Sequence, residues 1–135
     1  MQIIQNKVWK FYMEDDCKLD HYKMGKWMYF FKDKILADKL CENAVKQDIV
    51  KEAKYKKDET GVACFYLNCD DKEGHKKILK YFLENNLIQR TKVGKLYNIS
   101  FKFDTQTLKG EYGESFQAKI TLSMFLDLET EEWIP

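Results

Sequence analysis

The sequence predicts an α+β protein in which a curved antiparallel sheet is covered on one face by about two helices. Short runs rich in aromatic and β-branched residues are typical of strands, and two longer segments repeat apolar residues with a helical period. No Pro-, Gly- or Ser-rich linker divides the chain. Pairs of strands separated by helices favour an antiparallel sheet with both helices on one side. The opposite face would then be free for a ligand.

Length and composition predict a single domain over residues 1–135. The chain is 44% hydrophobic and 15% aromatic, which is typical of a globular protein rather than a disordered one. Its net charge of +1 gives no general attraction to long nucleic acid, so that class of partner is not expected. Arg90 is the one arginine among 23 basic residues, so contacts to phosphate would have to come from lysine.

The sequence also predicts a cytoplasmic protein that uses no cofactor and binds no metal. We find no signal peptide and no apolar run long enough to cross a bilayer, so a membrane is not an expected partner. The four cysteines include no Cys-x-x-Cys pair. We therefore interpret them as thiols in a reducing compartment.

The first half of the chain predicts two strands and a helix. Residues 7–12 and 26–32 have the aromatic and β-branched content of strands. The polar loop 13–23 joins them, and they could pair as a wide antiparallel hairpin. Residues 35–50 carry an apolar stripe of helical period, and Asp33 before them is a suitable N-cap.

The middle of the chain predicts two more strands and a second helix. A short strand at 53–57 is followed by a clear strand at 61–68. Asp70 and Glu73 resemble a capping arrangement at the start of a helix that ends near Asn86.

The C-terminal part predicts two last strands, over residues 96–103 and 117–128. His75, in the first turn of the second helix, is expected at the surface. The acidic tail contains Trp133, and an exposed Trp could anchor a protein partner or a second copy of the chain.

Aromatic and basic side chains on the predicted strands form a candidate ligand-binding site. Trp9 and Tyr12 offer rings on which a base could stack, and Lys26, Lys54 and Lys102 supply positive charge for phosphates. The alternatives are that the rings fill the core and that the lysines form a solvated face of the sheet.

Three further candidates follow the strand that contains Lys102. Asp104, Thr107 and Tyr112 would bring a carboxylate, a hydroxyl and a phenol to the same site, where they could bind the polar edge of a base or a ribose hydroxyl. The structural alternative is that Asp104 holds Lys102 or caps the loop through its backbone amides.

These motifs occur in an order that resembles the basophilic-leukaemia-expressed protein family, an uncharacterised group labelled with a phosphothreonine-lyase domain. The resemblance covers about residues 7–112 and is carried by Trp9, Gly25-Lys26-Trp27, Ala53-Lys54, Val62–Asp71 and Lys102-x-Asp104-x-x-Thr107-x-x-Gly110-x-Tyr112. It implies a fold similar to the messenger-RNA cap-binding translation initiation factor. The chain departs from the family at Phe103, where a Pro usually precedes the Asp of the motif.

The function expected from these features is a non-enzymatic binding module for a nucleotide or another small phosphorylated ligand. One form it could take is a viral protein that sequesters a nucleotide signal and so counters host immunity. The alternatives are a protein-interaction module that inhibits a host factor, and an enzyme resembling a phosphothreonine lyase. Such an enzyme needs a general base, a general acid and cations that bind the phosphate. Lysines could supply the base, but the sequence assigns no acid and contains only Arg90 as arginine.

Overall fold

The structure, a computed structural model, describes residues 1–20, 22–104 and 120–135. Within them, six strands form one curved antiparallel sheet in the order β1-β2-β4-β5-β3-β6. The strands are β1 Gln2–Gln5, β2 Trp9–Met13, β3 Met24–Phe31, β4 Glu52–Lys56, β5 Gly61–Asn68 and β6 Lys102–Phe103.

Two helices pack against the same side of this sheet, which confirms the predicted α+β class. Helix α1 spans Lys34–Lys46, and the Asp33 carboxylate caps it as predicted by accepting hydrogen bonds from the first-turn amides. Helix α2 spans Lys72–Glu84. Its N-cap is Asp71, whose carboxylate accepts from the Gly74 amide, whereas Asp70 pairs with Lys23.

The predicted hairpin between the strands at 7–12 and 26–32 is wrong. Strand β2 pairs with β1 and β4, and strand β3 pairs with β5 and β6. The reason is that β4 and β5 are joined by a short turn and form the centre of the sheet, so that β2 and β3 add to opposite sides of that hairpin. Strand β3 is an interior strand there, which agrees with its apolar residues on both faces.

The two predicted C-terminal strands are largely wrong. Only Lys102–Phe103 pairs as a strand, although Ser100 forms an isolated bridge with Thr121. A single 3-10 turn, Leu122–Met124, follows that bridge. Leu122, Phe125 and Leu126 all reach the core, and spacings of three residues and one residue do not fit the two-residue period of a strand. Residues 117–119 lie outside the described part of the chain.

The sheet has two unlike sides. We call the side that carries Tyr12, Trp27 and Phe65 the helix face, because these side chains pack with α1 and α2 in the main hydrophobic core. We call the side that carries Trp9, Lys54 and Tyr66 the outer face. Alternation along each strand assigns neighbouring residues to opposite faces. None of the described helices is both long and apolar enough to cross a bilayer.

His75 lies in the core, which overturns its predicted surface position. Its Nδ1 accepts a hydrogen bond of 3.0 Å from the Trp27 indole, and its Nε2 lies 2.9 Å from the carbonyl of Cys69. An indole nitrogen can only donate, so Nδ1 is unprotonated and Nε2 carries the proton that bonds Cys69. The ring stacks on Phe125 and meets Phe101 edge-on. The first turn of α2 therefore faces the sheet rather than solvent.

Candidate functional site

The candidate site lies on the outer face, where basic and aromatic side chains meet across five strands. Lys54 on β4 is opposite Phe11 on β2, and Lys26 on β3 is opposite Tyr66 on β5. Lys26 is also opposite Lys102 on β6. Directly opposed and diagonal positions of neighbouring strands are close enough for their side chains to touch. The register thus brings together three lysines that are far apart in sequence.

The Lys54 ammonium is surrounded by rings. Its Nζ lies 4.0 Å from the centroid of Trp9, 5.4 Å from that of Phe11 and 5.6 Å from that of Tyr66. The Lys26 Nζ approaches the same Tyr66 ring at 5.6 Å. Cations at these distances are attracted by the negative face of an aromatic ring. Tyr66 thus links the two ammonium groups.

Lys54 differs from Lys26 in its ionic environment. The Lys26 Nζ lies 3.5 Å from a carboxylate oxygen of Asp104. No carboxylate among the described residues comes within ion-pair distance of Lys54, and its side chain is half-buried. Burial lowers the pKa of Lys54, and the positive charge of Lys26 acts in the same direction, against smaller opposing effects from Cys64, Asp104 and Glu52. An anion between the two lysines would relieve this cost.

Beneath the lysines lies a small second hydrophobic cluster. Met24, Cys64 and Tyr66 are buried, and Leu19 from the loop before β3 packs against them. Burial raises the pKa of the Cys64 thiol, so it is a neutral apolar side chain rather than a nucleophile. The outer face therefore has a small apolar cluster of its own, and the ammonium groups lie next to that cluster.

The short strand β6 supplies the remaining described candidates. Lys102 is exposed beside Lys26, and Asp104 follows one residue after the strand. The Asp104 amide donates to the carbonyl of Met24, and its carboxylate pairs with Lys26. Asp104 thus forms an ion pair with Lys26, rather than with Lys102 as the structural alternative predicts.

Tyr12 does not belong to this site, which corrects its selection as a stacking residue. It lies on the helix face and is buried, and its hydroxyl donates a hydrogen bond of 2.7 Å to Asp38 of α1. Asp38 also accepts from the Tyr55 hydroxyl and pairs with Lys10. Residues 9 and 12 differ by an odd number, so a regular strand must direct them to opposite faces.

Thr107 and Tyr112 lie outside the described residues. The candidate site is therefore defined by Trp9, Lys26, Lys54, Lys102 and Asp104, which the outer face brings together.

Gly25 of the Gly-Lys-Trp motif has a packing role. A side chain at this position would collide with the ring of Phe101 and with the carbonyl of Lys102. Glycine therefore allows β6 and the residue before it to approach β3 closely. That contact places Lys102 next to Lys26, so the glycine contributes to the site indirectly.

The sequence did contain the signal for Tyr66, which we did not select as a site residue. In the strand 61–68, Phe65 and Leu67 alternate with Cys64 and Tyr66. Once Phe65 is assigned to the core, alternation assigns Tyr66 to the outer face. The acidic tail folds back on the chain while Trp133 stays 40% exposed, so its role as an anchor stays a prediction. Trp133 bridges Leu126, and Glu131 forms a two-bond pair with Arg90.

Searches against protein-family models, curated proteins and solved structures found no match for this chain. The resemblance to the basophilic-leukaemia-expressed family and to the cap-binding fold thus stays a prediction.

Proposed function

We propose that this protein binds a nucleotide or another small phosphorylated ligand on the outer face, without transforming it. The observation that carries the proposal is Lys54, a half-buried ammonium that forms no ion pair with a carboxylate in the described part of the chain and feels Asp104 and Glu52 only at longer range. Removing a cation from water is unfavourable unless it gains a partner. Three aromatic rings supply part of that compensation, and a phosphate would supply the rest.

The phosphate would lie between Lys54 and Lys26, with Lys102 at the open side. Lys26 shares its charge with Asp104, whereas Lys54 and Lys102 have no such partner among the described residues. Lysine acts on phosphate as a point charge and does not require the paired geometry of arginine. A site made only from lysine is therefore consistent with a chain that contains a single arginine.

A base would stack at the Trp9 end of the face. Trp9 and Phe11 are partly exposed, and Lys54 covers one side of the Trp9 ring. Stacking of a base on an aromatic ring contributes about 1–3 kcal/mol. A ligand with both a ring and a phosphate would therefore gain more from this face than inorganic phosphate.

The test is the binding of ATP, GTP and a cyclic dinucleotide to the wild-type protein, measured by calorimetry. We expect Lys54→Met, which keeps the side-chain length but removes the charge, to weaken binding at least about tenfold. Lys46→Met is the matched control, because Lys46 lies on α1, on the other side of the sheet, and pairs with Glu42. The control should bind within about twofold of the wild type.

Either of two results would overturn the proposal: no nucleotide in the panel binds, or Lys54→Met binds as well as the wild type. Recovery of the ligand after incubation separates binding from catalysis, since a binder returns it intact. The phosphothreonine-lyase alternative predicts instead that a phosphothreonine peptide loses its phosphate. His75 would not serve such a reaction, because both ring nitrogens are engaged beneath the helix face.

We extend the proposal to a cytoplasmic protein. Its four cysteines are free, and two of them are buried. Unpaired cysteines are ordinary in a reducing compartment. Sequestration of a nucleotide signal by a viral protein would use the same face, and the cyclic dinucleotide in the panel tests that form directly.

A further inference from the structure

An unpaired strand edge lies beside β6, on the part of β3 that follows Lys26. Strand β3 pairs with β5 along its whole length, from Met24 to Phe31. On its other side it pairs with β6 only at Gly25 and Lys26. Among the described residues, no strand continues this pairing beyond Lys26. The remaining half of the β3 edge is therefore left without a neighbouring strand.

The peptide groups on that edge can be identified from the pairing pattern. In the register of β3 and β5, Lys23 lies opposite Cys69, and the Cys69 amide donates to the carbonyl of Lys23. This pair is therefore one of the hydrogen-bonded pairs of the ladder. In an antiparallel ladder, alternate residues bond the same neighbour. Trp27 and Tyr29 thus bond β5, whereas Met28 and Phe30 direct their N–H and C=O groups toward the open edge. No backbone hydrogen bond from the described residues meets them there.

The chain segment across from this edge also has backbone groups without a hydrogen-bond partner among the described residues. The Ile99 carbonyl and the Phe101 amide bond the segment 120–122, on the side away from β3. Ser100 lies between these two residues, so its peptide groups point back toward β3. Two sets of unpaired backbone donors and acceptors therefore face each other across a gap.

The gap is a groove that is mainly apolar beside Met28 and more polar toward Lys32 and Asp33, and we call it the edge groove. One part, of about 270 Å³, is lined by Met28, Tyr29, Phe30, Leu87, Gln89 and Ile99. A second part of about 270 Å³ shares four of these residues and continues along β3 to Lys32. The Phe30 side chain is 69% exposed beside it. An elongated groove of this kind fits an extended chain better than a compact ligand.

We propose that the edge groove binds an extended peptide segment of a partner protein as an added β-strand. The Met28 and Phe30 peptide groups would bond the backbone of the segment, as in other complexes that extend a sheet. An apolar side chain of the segment would pack on Phe30 and Leu87. Lys32 and Lys102, both exposed, lie beyond the two ends of the open edge, so acidic residues flanking the apolar centre are favoured.

An undefended edge supports this occupant over a small molecule. Proteins usually protect strand edges with charges, proline or bulges, because unpaired backbone groups recruit other strands. The open part of β3 carries Met28, Tyr29 and Phe30, which include no charge and no proline. A small ligand could fill the apolar part of the groove, but it would not pair a row of backbone groups.

The test begins with random seven-residue peptides displayed on phage and selected on the full chain. We expect selected peptides to alternate apolar residues and to carry an acidic residue at an end. A synthetic copy should lose at least about tenfold in affinity for Phe30→Asp, measured by fluorescence anisotropy. Ile4→Asp is the matched control, since Ile4 is an exposed apolar residue on the other edge strand, β1. It should bind like the wild type.

A second measurement on the wild-type protein reports strand addition directly. Bound peptide should slow hydrogen exchange at the Met28 and Phe30 amides at least about tenfold, because these amides gain hydrogen-bond partners. Three results would overturn the proposal: no peptide is selected, the peptide loses affinity for Ile4→Asp instead, or these two amides stay unprotected in the complex. Dimerisation of the wild type alone that Phe30→Asp abolishes would assign the groove to a second copy and would also overturn it.

Discussion

The two faces of the sheet differ in whether their buried polar groups have hydrogen-bond or ionic partners. On the helix face each buried polar side chain has a partner: Tyr12 and Tyr55 share Asp38, the Tyr81 hydroxyl donates to the carbonyl of Leu40, and Trp27 bonds His75. On the outer face Lys54 is half-buried beside rings and another lysine. The comparison indicates that the helix face serves stability, whereas the outer face keeps a partly buried charge, which is where we propose that the ligand binds.

The largest expected effect is a difference in stability loss between alanine variants of Trp27 and Trp9. Trp27 is fully buried on the helix face, so Trp27→Ala should lower the free energy of unfolding by about 3–5 kcal/mol. Trp9 is partly exposed and contacts Lys54, so Trp9→Ala should lower it by about 1 kcal/mol. Urea unfolding followed by circular dichroism measures both. Equal losses for the two variants would contradict the division between the faces.

A smaller loss of stability is expected when Asp38, the acidic residue that links α1 to the sheet, is replaced. Burial alone would raise the pKa of Asp38, but hydrogen bonds from Tyr12, Lys10 and Tyr55 outweigh it and lower the pKa. Asp38→Ala leaves these donors without their acceptor and should lower the free energy of unfolding by about 2 kcal/mol. Asp58→Ala, at an exposed pair with Lys56, is the control and should change it by less than about 0.5 kcal/mol. A loss at Asp38 no greater than at Asp58 would disprove the role of this carboxylate.

The smallest effect concerns pH and His75. Burial lowers the pKa of His75 below its ordinary value of 6.5, against weaker opposing effects from the Cys69 carbonyl, Asp71 and Asp70. As pH falls below 6.5, the unfolded chain binds a proton that the folded chain does not, so the folded state loses stability. This loss ends once pH has passed the lowered pKa of the folded state. Above 6.5 both states hold neutral His75, and it contributes no pH dependence.

The measurement is the free energy of unfolding of the wild type and His75→Asn at pH 7.5 and 5.5. Asn does not titrate, so the wild type should lose more stability over this interval than the variant. Carboxylates such as Asp70 titrate in both proteins and cancel in the difference. The same loss in both proteins would show that His75 is not the responsible group.

Local patterns in the sequence were sufficient for much of the fold. The apolar period of 35–50 predicts α1, and Asp33 predicts its start, because both depend on residues within a turn or two. Strand 61–68 was equally clear. By contrast, β1 was not predicted, since four exposed residues without alternation carry no strand signal. The C-terminal strands failed because pairing with a distant segment, rather than local preference, decides such short strands.

For the candidate site too, some features follow from the sequence and others only from the tertiary structure. The sequence by itself determined which residue types were present: one arginine, abundant lysine and aromatic residues on strands. It also determined that Trp9 and Tyr12 must face opposite sides of β2. Only the tertiary structure decided which of those sides the helices cover, and hence that Tyr12 is core and Trp9 is not.

Only the strand order placed Lys26, Lys54 and Lys102 on one surface, and only the late start of β6 at Lys102 left the β3 edge open. The physical reason is that side-chain alternation is a local property of each strand, whereas strand neighbours are chosen by the packing of the whole chain.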